Sequence, residues 1–456
     1  MGNLQLTNSQ TLKVFKLADV FLLYIISYSY IYILIVHYQW ISFRLHQTSI
    51  PYHSPSVCIT LPLILNFFVV LLLPKKLYKT SDGALWLMYI LAFVPTEFIP
   101  HLTLMIDPEQ VCLFNIYTAA AFALIMLMTK LPRLKVKRLR LASAYSTYMF
   151  TAGTVLTLLS ILIYKFKNYI SILSIYNVYQ QRAEYKKLIS VFGGWLAYLV
   201  IWMYFVFVPI LLTTAYSLYL RQRKFSALIF VALAVMSAYF SFSLAGFKSA
   251  FFSIFAVFAV IMLIRRGMAS YKLLLYLMLI YLLAYLLTFF GNDWYLLHMM
   301  RRFLASPGLN AAYYFEFFSQ NPKMYMSHSF LSSFFANPYG TSPPFVIGYI
   351  YYDNPQTSAN ANFWADAYAN FSTLGIFVYS FLLGLILLIL DSITYKHRLE
   401  FSLGALIMSL YSLSNSGLFT NLVTYGLVFI ILYLWISPPT QTDTFGNSSR
   451  KKVHTG

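Results

Sequence analysis

The chain has 456 residues, 60% of them hydrophobic and only 10% charged, where an ordinary soluble domain carries roughly a quarter charged residues; its mean hydropathy is +0.69. This excludes a soluble globular protein and identifies an all-α polytopic membrane protein, one integral domain with about 12 transmembrane helices of roughly 20 residues each. The formal charge of +19 does not point to nucleic acid, because the Lys and Arg residues sit in short clusters between apolar runs, where such clusters anchor topology.

Taken in order, apolar runs of spanning length fall at 18–37, 56–73, 84–101, 111–129, 144–164, 194–217, 226–244, 248–264, 272–290, 369–391, 402–417 and 420–437. The first has no small-x-small cleavage site after it and reads as an uncleaved helix. The runs beside Gly246 and Asn415 form short hairpins that could also be merged or re-entrant. Alternate connections hold 22 and 10 of the 32 Lys and Arg residues. The richer side is cytoplasmic by the positive-inside rule, which places both termini inside and one large outer loop, 291–368, between spans nine and ten. Residues 438–456 read as a disordered cytoplasmic tail after the integral region 1–437. Cys58 and Cys112 lie near the same face without the spacing of a metal or redox motif. No metal or cofactor is expected.

Basic residues on the poorer side lack the topological explanation and are the better functional candidates. They are Arg182, with Lys186 and Lys187, in VYQQRAEYKKLISVFGG; Lys248 in SLAGFKSAFF; and Arg301 and Arg302 where the ninth span ends. The outer loop also gathers Asp293, His298, Glu316, Lys323, His328, Asp353 and Asp366. Within it, Ser306 and Pro307 read as the N-cap and first turn of a short Tyr/Phe-rich helix that ends at Asn321-Pro322 and lies along the outer interface. The run 337–357, dense in Pro, Gly and Asn, reads as an ordered loop or short strands with Asp353 in a turn. At helical spacing Asn362, Asp366, Asn370 and Thr373 fall within an arc of roughly 80°. Either this polar stripe caps the helix and bonds its neighbours, or it turns Asp366 toward a hydrated cavity. Several cations in a partly desolvated outer site suit a phosphorylated ligand. No Walker loop, HExxH or GxSxG accompanies them.

These residues carry a resemblance. Arg182, ten residues and then Gly193 is similar to the Arg-x10-Gly pattern of outer loops in Wzy-type O-antigen or oligosaccharide repeat-unit polymerases. RRFLASPGLNAAYYFEFFSQNPKMYMSHSF resembles their large outer loop, and NANFWADAYANFSTLG their following helix start. Where relatives often show Gly and Arg, this chain has Gly246 and Lys248; lysine keeps the charge and lacks the bidentate fork. The resemblance implies a metal-independent membrane glycosyltransferase in the bacterial inner membrane. It would transfer a growing glycan from undecaprenyl pyrophosphate onto a lipid-linked acceptor repeat at the outer face. It further implies Arg182, Lys248, Arg301 and Arg302 on the pyrophosphate, and Asp366, with His328 and Glu316 behind it, as the base. Membrane lipids and a chain-length regulator are the other expected partners; nucleic acid is not. An O-antigen ligase and a transporter or flippase of lipid-linked sugars are the alternatives. Transport is disfavoured because mid-span charges are nearly absent.

Overall fold

The structure is a computed structural model that describes residues 8–44, 50–54, 57–103, 107–137, 144–169, 178–265, 271–329 and 332–440. The tail expected at 438–456 lies outside the described residues beyond Thr440. Among the described residues the chain is helical, with no β-strand. In chain order come α1 (Asn8–Arg44), α2 (Thr60–Leu72), α3 (Thr80–Thr103), α4 (Pro108–Met128), α5 (Ala144–Phe166), α6 (Val178–Phe192), α7 (Trp195–Leu220) and α8 (Lys224–Ala245). There follow α9 (Ser249–Arg265), α10 (Tyr271–Thr288), a π-helix over Tyr295–Ala305, α11 (Ser306–Gln320), α12 (Pro343–Tyr352), α13 (Phe363–Thr394), α14 (Leu399–Ser412), α15 (Leu418–Val423) and α16 (Leu427–Ile436).

Among the described residues, eight helices are long and apolar enough to cross a membrane: α1, α3, α4, α5, α7, α8, α10 and α13. Four shorter apolar helices, α2, α9, α14 and α16, occupy the remaining expected runs. This is the architecture of a helical polytopic membrane protein, in which closing every backbone hydrogen bond within one segment is what lipid demands.

The helices divide into two compact units. One comprises residues 1–132, 267–388 and 410–421, the other 133–266, 389–409 and 422–456. In the second, α7, α8 and α9 pack on one another, with α5 and α6 against α8. Its core holds Leu162, Phe166, Tyr185, Leu196, Met203 and Phe240.

In the first unit α2 packs on α4, α1 on α10, and α11 against the end of α3. The aromatic helix α11 is therefore not an interfacial helix facing lipid. Ala311, Ala312, Tyr313, Tyr314, Phe315 and Phe318 are all buried, with Phe315 stacked on Phe114 of α4 at 4.4 Å between ring centroids. Ser306 does not cap it either, because the π-helix runs into it without interruption and the preceding Ala305 is itself helical. The end at Asn321 is extended, as Asn321-Pro322 leads one to expect. The Pro-rich run forms α12 and no strands: Pro343 and Pro344 sit in the first turn, where a missing N–H costs nothing, and Asp353 ends the helix with φ 49°.

The largest departure is inside α13. Phe371 (φ −137°, ψ 21°) and Ser372 (φ 56°, ψ −151°) break the helix, and the two pieces fold onto each other. The Trp364 indole N–H donates to Ser380 Oγ at 2.9 Å, although sixteen residues of straight helix would span about 24 Å. Gly375 lies so near the Ala367 carbonyl that no β-carbon fits there. The polar stripe is thereby cut, since Thr373 lies beyond the break. The conformation of Ser372 is one that costs a non-glycine residue about 1–3 kcal/mol. Ser372→Gly is expected to stabilise the protein by about 1 kcal/mol, read as a higher thermal unfolding midpoint in detergent; a lower midpoint would show that the Ser372 side chain, which bonds the Tyr368 hydroxyl, outweighs the strain.

Candidate functional site

The segment carrying the arginine pair is the π-helix Tyr295–Ala305, 11 residues long. Runs of this geometry are rare and cluster at functional sites. Its two neighbouring arginines diverge: Arg301 is half-buried and Arg302 is exposed. Arg301 lines a cavity of about 400 Å³ together with Tyr38, Ser306, Asn310, Tyr352 and Ser358.

The polar groups around it are ordered by one another. Asn310 donates from Nδ2 to the Asn360 carbonyl at 2.6 Å and accepts the Tyr352 hydroxyl at 2.8 Å. Tyr38 donates to the Pro51 carbonyl at 2.8 Å. Arg301 is different, because its Nε is buried and has no hydrogen-bond partner. Burial and the neighbouring Arg302 both push its pKa down, against a smaller opposite effect from Tyr352. No Asp or Glu lines the cavity. An unpaired buried N–H costs about 1–3 kcal/mol, more when charged, and an anionic oxygen would relieve that cost through the guanidinium fork.

Asp366 occupies the first turn of α13 in the same unit. Its stripe partners are committed to structure. Asn362 Oδ1 caps the helix by accepting from the Trp364 and Ala365 amides, each at 3.1 Å, and its Nδ2 donates to Thr96 Oγ1 at 2.6 Å. Asn370 donates to the Asp366 carbonyl at 2.9 Å and accepts from the Met326 amide at 2.9 Å. The Asp366 carboxylate lies against Gly417, where a β-carbon would collide with it. It is close enough to Tyr314 that, after burial, it is the second cause of that phenol's raised pKa. Asp366 is not among the residues lining the Arg301 cavity.

Glu316, on α11, is half-buried, with Oε2 unpartnered. Burial raises its pKa, and a hydrogen bond from Tyr351 partly offsets this. Tyr351 in turn stacks on Tyr313 at 4.2 Å. His328 sits in the turn after α11 with Nδ1 buried and unpartnered, and burial lowers its pKa so that the ring is held neutral.

Arg182 and Lys248 belong to the second unit. Arg182, on α6, donates from Nη2 to the Gly246 carbonyl at 3.4 Å, while its Nε is buried without a partner. Gly246 ends α8 in the left-handed conformation, and Lys248, two residues on, is exposed. Gly193 closes α6 with φ 90°. The ten-residue spacing from Arg182 to Gly193 thus measures the rest of that helix.

Lys323 stands among the charges gathered in 291–368, but the sequence assigned it no role. Its ammonium caps the end of α11 by donating to the Phe318 carbonyl and lies 4.0 Å from the centre of the Tyr368 ring. Its position just after Asn321-Pro322 was the available signal, since basic residues favour helix C-termini. Cys58 and Cys112 are unbonded, and among the described residues no three His, Cys, Asp or Glu side chains gather to hold a metal. No protein-family model, curated protein or solved structure matches this chain.

Burial lowers the Lys323 pKa from 10.5 to about 8. Between these values the unfolded chain binds more protons than the native one, so stability rises with pH across that window. The wild type is expected to gain thermal stability from pH 8 to 10.5 relative to Lys323→Met; parallel profiles would place the amine in water.

Proposed function

We propose that this protein polymerises lipid-linked oligosaccharide repeat units at the outer face of a bacterial inner membrane. In this reading the chain crosses the membrane 12 times with both termini cytoplasmic, and 291–368 forms the outer loop. The observation that carries the reading is the Arg301 cavity: a half-buried guanidinium with an unpaired Nε, ringed by hydroxyl and amide groups and by no carboxylate. It suits an oxygen-rich anion such as a sugar pyrophosphate.

The reaction joins two lipid-linked glycans. A hydroxyl oxygen of the acceptor repeat attacks the anomeric carbon of the donor glycan, the bond from that carbon to the pyrophosphate oxygen breaks, and undecaprenyl pyrophosphate leaves with the electron pair. A base takes the hydroxyl proton. Cations offset the charge on the departing pyrophosphate. Arg301 is assigned to the pyrophosphate, with Arg302, Arg182 and Lys248 as further cations. Asp366 is the first candidate base because its carboxylate, set against Gly417, accepts no hydrogen bond among the described residues. His328, neutral with a bare Nδ1, and Glu316 follow. Neither metal nor cofactor takes part.

An O-antigen ligase would use the same donor and differ in its acceptor. The assay that separates them offers one purified lipid-linked repeat as both donor and acceptor: a polymerase yields a ladder, a ligase yields none. In that assay Arg301→Ala is expected to lower ladder formation by about 10²–10³-fold, the scale for removing one preorganised donor, with Arg301→Lys intermediate. A normal ladder from Arg301→Ala would remove Arg301 from the site. Asp366→Asn is expected to abolish the ladder while the protein purifies at its usual level.

A further inference from the structure

Among the described residues of the first unit, cavities differ in chemistry. The Arg301 cavity is cationic. The second, of about 510 Å³ beside α12, is lined by Phe317, Phe345, Val346, Tyr349 and Ile350 and is almost wholly apolar. The third, of about 270 Å³, lies where the start of α4, the end of α11 and the break in α13 meet, and it is neither. No Asp, Glu, His, Lys or Arg lines it. Its walls carry Gln110, Tyr117, Ser319, Gln320, Tyr368 and Thr373.

The hydrogen-bonding capacity of this third cavity is largely unspent. Ser319 donates to the Glu316 carbonyl at 2.7 Å, and the Tyr368 hydroxyl bonds Ser372. Among the described residues, the side chains of Gln110, Tyr117, Gln320 and Thr373 make no hydrogen bond. Two amides and two hydroxyls supply both donors and acceptors, a set that matches vicinal hydroxyls, each of which donates and accepts. The aromatic walls are held rigidly. Tyr368 is fixed by the Lys323 ammonium at 4.0 Å and by Phe315 at 4.7 Å, and Tyr117 meets Phe377 edge-on at 6.5 Å. Aromatic rings beside amides and hydroxyls accommodate a ligand with C–H faces and hydroxyl edges. No cation lines the cavity to meet a carboxylate or phosphate, and the neighbouring Lys323 ammonium is already committed to the Phe318 carbonyl.

We propose that this cavity is a subsite for one neutral monosaccharide ring, selecting uncharged sugars over uronic acids. The assignment rests on the polymerase reading in taking a glycan as the ligand, and it adds the class of sugar and the residues that hold it. Gln110 and Gln320 present their amides to the ring hydroxyls, Thr373 and Tyr117 complete the polar wall, and Ser319 keeps one lone pair for the ligand. The cavity at Arg301 shares none of these residues. The two subsites therefore respond separately to mutation.

The test is saturation-transfer NMR on the purified full-length protein in detergent, with the methyl glycosides of glucose, N-acetylglucosamine and glucuronic acid as probes. Transfer is expected to at least one neutral glycoside and not to the glucuronide, and Gln110→Ala/Gln320→Ala is expected to weaken the neutral signal by tenfold or more. Thr373→Val, a near-isosteric change at the cavity wall, is expected to weaken it several-fold. Both variants are checked against the wild type for thermal midpoint and gel-filtration profile. Absence of transfer to either neutral glycoside, equal transfer to the glucuronide, or undiminished transfer in both variants would each overturn the assignment. The ladder assay is read in parallel: neutral-sugar binding without a ladder from the wild type would refute the polymerase and leave the subsite standing, and a ladder without such binding would do the reverse.

Discussion

A break in a buried helix frees backbone carbonyls, and in an apolar interior each must find a donor. At Phe371–Ser372 in α13 the donors come from the turn after α11. Met324 N–H reaches the Ala369 carbonyl at 3.0 Å, Tyr325 N–H the Asn370 carbonyl at 3.2 Å, and Met326 N–H the Asn370 side chain at 2.9 Å. To present three consecutive amides this way, Tyr325 and Met326 adopt φ of 48° and 57°, which side-chain-bearing residues seldom do. Much of the first unit follows from this contact. It ties the turn after α11 to α13 and holds it beside the break, where the Asp366 half-helix folds back alongside its own continuation.

The polar groups of the unit sort by whether they serve that arrangement. Asn362, Asn370, Thr96 and Asn310 are all satisfied within the protein and fix where the short helices lie. Arg301, Glu316 and His328 each keep a buried atom unpaired, as do His37, Glu97 and Ser327. Unpaired buried polar atoms are costly, and of these groups Arg301 is the one that also lines a described cavity.

Divergence within sequence-adjacent pairs follows the same logic. Arg301 and Arg302 look equivalent in the chain, yet the wide turn of the π-helix sends one into the cavity and the other outward. Gly193 looks like half of a binding motif with Arg182, yet it closes the helix on which Arg182 stands. Arg182 itself reaches the Gly246 carbonyl, which joins two stretches that the sequence offered separately.

Composition and apolar run length alone determined that the chain is helical and membrane-embedded, because lipid admits few other ways to satisfy a backbone, and the run positions match the helices closely. Basic clusters between runs supplied the orientation argument, and titratable residues in 291–374 marked the segment in which Arg301, Glu316, His328 and Asp366 lie. The break in α13, the burial of α11 and the joining of Arg301 to Tyr352, Asn310 and Tyr38 were decided only by tertiary structure. Each depends on groups tens to hundreds of residues apart, such as Asn362 with Thr96 or Gly417 with Asp366. Local periodicity does not encode which distant partner takes up a freed carbonyl or leaves a guanidinium unpaired.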